Sequence, residues 1–567
     1  VFWNTDWIFP EYGKGCLAEP TLASSRSGLG APMRELRSLS TCCPYSKDVM
    51  SDPDSLPPAD VSRREFLKVT GVAAAAGLVG VACNTPPNAG GPVAATDSLA
   101  PESRPRGTPI SVDVCIVGAG FAGLAAALAV KAAGKTVLVL EARNRVGGRT
   151  LTIPLPGGGW VDEGGQWAGA GHDRFYHWIK ATGKTTYPSP NSGDAIVFGP
   201  ALRKHQRVGD DWSVLPGYAR VEAIKARLQK MADSLDPAAP WSHPLARAWD
   251  GITMAQWLAQ NVKEQSLRGF LVGDMSYACA SPEQISVLSF LSLVKQCVSF
   301  AKLNGFEGAA QQDRVVGGVQ PVAIGMAELL GPGAIRLRNP VRRVRWTDTE
   351  ATVSTDAVDV QARHVIFAGP PSLMGAIEFA PSLPVARAQI TQHWPQGIVI
   401  KVGMVYSSPF WREQGLSGGS LDYSALVSET ADSSAPEGHG TAGVLTGFIY
   451  TDQARAASLL PAQERRQRIL AEMAVRFGDK ALTPDRIIEM NWSTQVWTRG
   501  CYGGYLAPGA TVLFKSAVRD PVGPFHWAGT ETSPEWPTFI EGAIRSGERA
   551  AATISPAAAP IAAPAAG

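Results

Sequence analysis

Residues 112–117, apolar except for Asp113, have the pattern and length of a strand, which Gly118-Ala119-Gly120-Phe121-Ala122-Gly123 interrupts before residues 124–133 resume an apolar pattern of helical length. A second apolar strand is predicted over 136–140, ending in the acid Glu141. Strand, glycine-rich turn, helix, strand and acid together predict a βαβ unit that holds a dinucleotide. Gly118 permits the tight turn, Gly120 lets backbone approach a pyrophosphate, and Gly123 lets helix pack on strand. The open N–H groups of the helix start then hold phosphate, and Glu141 accepts ribose hydroxyls.

The ends of the chain read differently. Residues 1–49 carry no sustained periodicity; a true start at Met50 is preferred to a disordered extension. Ser62-Arg63-Arg64-Glu65-Phe66-Leu67-Lys68 precedes a small apolar run over 69–83 that has no polar face, the pattern of a twin-arginine export signal over residues 50–83. At this length the run does not span a bilayer, which takes about 20 apolar residues. Cys83 is a candidate for lipidation, the less favoured reading because Gly80 fits that pattern poorly. Residues 84–110 have linker composition, and 556–567 form an Ala/Pro tail with no anchor.

With 567 residues, two joined domains are expected, and a net charge of +2 gives no electrostatic case for nucleic acid. The eight cysteines lack the spacing of a disulfide scaffold or a zinc site, so neither a metal nor an essential disulfide is expected. Cys115 reads as an inert core residue.

NAD and FAD share the glycine fingerprint, and the next segments separate them. Arg143-Asn144-Arg145-Val146-Gly147-Gly148-Arg149 places a guanidinium after a flexible Gly-Gly, where it can meet a diphosphate, and Asp162-Glu163-Gly164-Gly165-Gln166-Trp167 is a second glycine-rich turn. Further segments follow in order: Arg314-Val315-Val316-Gly317-Gly318, Pro395-Gln396-Gly397-Ile398-Val399-Ile400-Lys401, Arg499-Gly500-Cys501-Tyr502-Gly503-Gly504-Tyr505 and Trp527-Ala528-Gly529-Thr530-Glu531-Thr532. With these, residues 111–555 resemble the flavin-containing amine oxidases, and most of all the monoamine oxidases.

The resemblance implies a Rossmann-type α/β FAD-binding fold of the two-domain glutathione-reductase kind, with a discontinuous mixed α+β substrate domain. The FAD-binding domain is expected from 111–187, 312–390 and 492–555, the substrate domain from 188–311 and 391–491. Implied FAD contacts are Gly118, Gly120, Ala122, Gly123, Glu141, Ala142, Arg149, Gly165, Gln166, Trp167, Val341, Trp492, Cys501, Gly529, Thr530 and Glu531. Cys501 matches the cysteine that monoamine oxidases join to the flavin by a thioether. Arg499-Gly500 replaces their paired glycines, so a thioether and a non-covalent flavin both stay open, the first preferred.

Tyr502 and Phe539 match the two rings that cage the amine over the flavin, Phe539 standing where tyrosine is usual. Lys401 matches the buried lysine that holds a water at flavin N5. The plain alternatives are core packing for the rings and a strand-edge lysine reaching solvent. Gln311 and Phe448 match substrate-lining positions. The implied reaction takes a primary amine, with secondary amines left open, to an imine that hydrolyses to aldehyde and ammonia, while O2 becomes H2O2. A dehydrogenase with another acceptor, an L-amino-acid or polyamine oxidase and, least favoured, a non-catalytic flavoprotein are the alternatives. The partners expected are an amine and O2, with no transmembrane helix in the mature chain and a homodimer left open.

Overall fold

The computed structural model describes residues 107–197, 206–209, 213, 215, 217–264, 267–268, 271–273 and 280–558. The upstream extension, the twin-arginine segment with Cys83, most of the linker and most of the tail lie outside the described residues.

The first apolar run becomes the strand Ile110–Val117, the helix runs Phe121–Ala132 and the second strand Val137–Leu140. The second half of the first strand, 114–117, is continuously apolar because both its faces are covered. Val114 and Ile116 enter a cluster with Leu124, Val322 and Ile544 from the flanking helices, whereas Cys115 and Val117 enter another with Val353, Phe367 and Trp527. Alternate side chains thus supply two cores, each buried Val or Ile contributing roughly 1.5–3 kcal/mol.

These strands belong to an eight-stranded sheet in the order Ile335–Arg336, Val137–Leu140, Ile110–Val117, Asp359–Phe367, Ala351–Thr355, Val341–Trp346 and Glu378–Ala380, with Phe525–Trp527 also on Asp359–Phe367. Ile110–Val117 runs parallel to both of its neighbours, and Phe525–Trp527 is parallel to Asp359–Phe367. The helices Phe121–Ala132, Gln320–Leu330 and Ile540–Ile554 pack on one face. Two close approaches need glycine: a Cβ on Gly123 would lie 1.9 Å from the Gly118 carbonyl oxygen, and one on Gly547 would lie 2.0 Å from that of Ala122.

A seven-stranded sheet is ordered Arg486–Asn491, Val399–Tyr406, Gly443–Tyr450, Glu429–Asp432, Leu416–Leu421, Asp194–Val197 and Gln206–Val208. Along Val399–Tyr406, residues Ile400, Val402, Met404 and Tyr406 pack against Ile469, Met473 and Phe477 of the helix Ala462–Phe477. The alternate residues Val399, Lys401 and Gly403 therefore face the other way. A helical lobe with Tyr218–Asp233, Met254–Asn261 and Val287–Gln296 shares one core that includes Trp257 and Phe290. No helix among the described residues is long and apolar enough to cross a membrane.

Candidate active site

Register brings the dinucleotide segments together. Val117 pairs with Leu140 and with Phe367, and Phe367 pairs with Trp527, so four parallel strands end level. Gly118, Glu141, Ala368 and Ala528 follow those ends, and the Gly118 N–H donates to the Leu140 carbonyl at 2.8 Å. Such a row of carboxyl ends is where open α/β sheets take their ligands.

The glycines behave as their spacing requires. Gly118 adopts φ +106°, and a Cβ on Gly148 would lie 3.1 Å from Gly120 Cα, so the two glycine turns touch through backbone. Gly120 starts its helix with no side-chain cap, leaving N–H groups for an outside acceptor. Glu141 is buried; its Oε2 accepts from the Ala119 N–H at 2.7 Å and its Oε1 from the Arg143 N–H at 2.8 Å. A carboxylate has about four lone-pair sites, so capacity remains for ribose hydroxyls. Ala142 is half-buried beside it. The Asn339 N–H bonds the Glu141 carbonyl at 2.8 Å, which brings Val341, at the head of its strand, to the same end of the crevice. These residues fit the adenosine and diphosphate portion of a dinucleotide.

Arg149, expected at the diphosphate, is bound to another expected contact. Its Nη1 and Nη2 donate to Glu531 at 2.7 and 3.1 Å, and Nη1 also donates to the Tyr502 carbonyl at 2.8 Å. Burial alone would weaken the guanidinium's hold on its proton, but Glu531 outweighs it and the pKa rises. Glu531 Oε1 also accepts from the Gly504 N–H, fixing the loop that carries Cys501 and Tyr502. Gly529 holds φ +108° and donates to Ser546 Oγ, while Thr530 Oγ1 donates to the Phe539 carbonyl at 2.8 Å.

The second sheet offers one rung to the site. Met490, Lys401, Phe448, Glu429 and Leu421 are successive cross-strand partners, so their side chains share a face. Lys401 is 3% exposed on an interior strand, and the solvent-reaching alternative does not hold. Its Nζ donates to the Gly164 carbonyl at 2.8 Å and to Gln166 Oε1 at 2.5 Å, and lies 5.5 Å from the Phe448 ring centre. Burial brings Lys401 down to about 8, against the opposing pull of Glu163. Gly165 packs against Ile540 at the head of the last helix.

Around this rung, Phe448, Tyr450, Trp492, Cys501 and Val399 form one buried cluster, with Trp167 and Tyr502 against it. Trp167 stacks on Phe448 at 5.9 Å, and Trp492 Nε1 donates to the Glu163 carbonyl at 2.8 Å. Burial pushes the Cys501 thiol up to about 12, opposed by Arg149 and Lys401. Arg499, in place of a glycine, takes φ +56° itself, a conformation that costs a non-glycine residue free energy. Phe539 stands apart from the Tyr502 cluster, packing on Trp536 at 5.3 Å and His172 at 5.4 Å. Gln311 is buried, and its Oε1 has no hydrogen-bond partner.

Three residues escaped sequence reasoning. Glu429, 2% exposed, accepts from Tyr423 Oη at 2.5 Å and Tyr450 Oη at 3.0 Å, and Tyr450 Oη is 3.0 Å from Tyr502 Oη. Tyr450 stacks on Phe448 with 8° between the ring planes. Glu163, fully buried, sets its carboxyl against Gly403, two residues along the strand from Lys401. The sequence around Glu429, Glu-Thr-Ala-Asp, carries no signal that sets this acid apart. Among the described residues no group of His, Cys, Asp and Glu could hold a metal.

A mixed sheet whose parallel strands end at a glycine-rich turn, with a second sheet that presents a buried lysine and aromatic rings, is the arrangement of a flavin-dependent oxidoreductase. Residues 121–555 match the family described as flavin containing amine oxidoreductase, and the chain belongs to that family. Residues 60–80 match the twin-arginine translocation signal. The chain is 35% identical over 467 residues to the putrescine oxidase of Kocuria rosea, covering 79% of this chain and 96% of that one. It is 34% identical over 462 residues to an L-amino acid dehydrogenase of Synechocystis, covering 78% and 95%. Among solved structures, cyclohexylamine oxidase from Brevibacterium oxydans superposes with a TM-score of 0.74 at 33% identity, covering 78% of this chain and 98% of that one. The family carries FAD, and the enzyme is an amine oxidase.

Proposed function

We propose that the enzyme oxidises a primary amine to the imine, which hydrolyses to aldehyde and ammonia, and that O2 is reduced to H2O2. FAD, held by Gly118, Gly120, Glu141, Arg149 and the Gly529–Glu531 turn, supplies the acceptor for two electrons and a hydrogen. The carrying observation is the rung that sets Lys401 and Phe448 on one face, beside Tyr502 and Cys501. Tyr502 orients the amine, the rings exclude water, and Lys401 holds a water where oxygen reacts. Cys501 is joined to the flavin by a thioether. The two sheets mark the proposed domains, the eight-stranded one binding FAD and the seven-stranded one the substrate.

A second reading concerns substrate class. Glu429 places a buried carboxyl two hydrogen bonds from Tyr502, through Tyr450. That acid favours an amine whose far end carries a second cation, a diamine, over an amino acid, whose carboxylate it would repel. The relative that oxidises putrescine is in keeping with this.

The test is anaerobic mixing of flavin-loaded enzyme with monoamines, diamines and amino acids, followed by admission of air. Loss of the oxidised-flavin band with an amine and fast recovery in oxygen is the expected result. Slow recovery would favour another acceptor, and no bleaching by any amine would overturn the reading.

A further inference from the structure

We propose that Glu163 is a positioning residue for Lys401, a buried acid whose charge sets the pH range over which the lysine stays protonated at the flavin face. The inference rests on the reading that Lys401 faces the flavin.

Glu163 is 0% exposed and opens the turn whose next members, the Gly164 carbonyl and Gln166 Oε1, hold the Lys401 ammonium. Its carboxyl lies against Gly403, which is two residues from Lys401 on the same strand and so on the same face. A Cβ on Gly403 would come 2.8 Å from Glu163 Oε1 and 2.6 Å from Val161 Cγ1. Glycine at 403 therefore makes room for the acid. Neither carboxyl oxygen has a well-formed hydrogen bond, an unusual condition for a buried polar group.

The other charges nearby are committed elsewhere. Asp162 pairs with Arg314 at 3.3 Å and also accepts from Thr152 Oγ1 and the Val319 N–H. Glu489 pairs with Arg465 and Arg466, each at 2.6 Å. Asp162, Arg314 and Cys501 all act on Lys401, yet Glu163 is the strongest charge supporting its proton. Asp162 and Glu489 in turn disfavour a charge on Glu163, while Lys401 and the Gly403 N–H favour it. Burial carries Glu163 up to about 8 and Lys401 down to about 8, so the two groups change charge over one pH range. An ionised Glu163 keeps Lys401 protonated to higher pH; a neutral side chain at 163 releases it sooner.

Infrared titration of the protein, with and without FAD, reads Glu163 directly, and stopped-flow reoxidation across pH reads Lys401. A protonated-carboxyl band titrating near pH 8 is expected, absent from Glu163→Gln and moved to higher pH in Lys401→Met. In Glu163→Gln the alkaline limb of reoxidation should move down by about one pH unit, a tenfold loss of lysine proton affinity. The proposal is overturned if the band titrates in the ordinary carboxylate range, or if Lys401→Met leaves it in place. That second measurement stands even if Glu163→Gln does not fold. A coupled band together with normal reoxidation in Lys401→Met would instead remove Lys401 from the oxygen step, leaving the electrostatic coupling of the two groups intact.

Discussion

Replacing Lys401 by methionine separates the lysine's structural cost from its chemical use. The drop from the ordinary 10.5 to about 8 corresponds to about 3 kcal/mol held against the buried ammonium. Methionine removes that penalty and keeps the volume of the stem. It also strips donors from the Gly164 carbonyl and Gln166 Oε1, and each acceptor left unpartnered costs about 1–3 kcal/mol. The terms partly offset, so the variant should fold and load FAD with stability between about 1 kcal/mol above and about 3 kcal/mol below the parent. Proton handling of this kind contributes about 10²–10⁴-fold to rate. The expectation is therefore near-normal flavin bleaching by amine in anaerobic stopped flow, followed by reoxidation slowed at least about a hundredfold. Reoxidation at the parent rate in a folded, flavin-loaded variant would refute the placing of Lys401 at the oxygen step.

Glu429→Gln should raise KM for a diamine by about tenfold or more, from loss of a charge-assisted hydrogen bond of about 1.5–3 kcal/mol, while a monoamine of equal length is little affected; parallel losses for both would remove the diamine reading. Acid-denatured parent enzyme should retain flavin on the protein, and Cys501→Ser should release it. Glu163 holds its proton more tightly in the folded protein, so stability should fall as pH rises from 4.5 towards about 8; thermal melts of Glu163→Gln should lack that fall. Gly164→Ala should lose FAD loading and activity together, since its Cβ would lie 2.2 Å from the Arg149 carbonyl oxygen and 2.8 Å from Thr150 Cα; flavin content by absorbance checks it.

The dinucleotide half of the site was legible because its meaning is local. Gly118, Gly120, Gly123 and Glu141 lie within two dozen residues; backbone geometry dictates the glycines and ribose recognition the acid. The substrate half depends on register. Nothing near Glu429 in sequence announces that Phe448 and Lys401 are its neighbours across two strands, nor does anything near Gly403 announce Glu163. Likewise Arg149 was legible as a cation for the flavin, but its partner Glu531 stands 382 residues away. A family resemblance carries such residues over one by one; a departure such as Arg499 shows its consequence only in the backbone, where it holds φ +56°.

The turn 163–167 gathers elements from distant parts of the chain into one site. Glu163 gives its carbonyl to Trp492 and its carboxyl to the space over Gly403; Gly164 and Gln166 grip Lys401; Gly165 abuts Ile540; and Trp167 stacks on Phe448. Within five residues it therefore touches the lysine strand, the aromatic rung and the head of the last helix. Its first member adjoins the strand Trp160–Asp162, and Asp162 is anchored by Arg314. A dinucleotide crevice fixes only where FAD lies; the reacting edge must also meet the amine and the lysine in one geometry. By gripping Lys401 through a backbone carbonyl and a side-chain amide and packing on Phe448 and Ile540, the turn ties the lysine strand, the aromatic rung and the last helix together. Orientation, the main contribution a flavoprotein makes beyond its cofactor, is thus built into a segment that carries no reacting group itself.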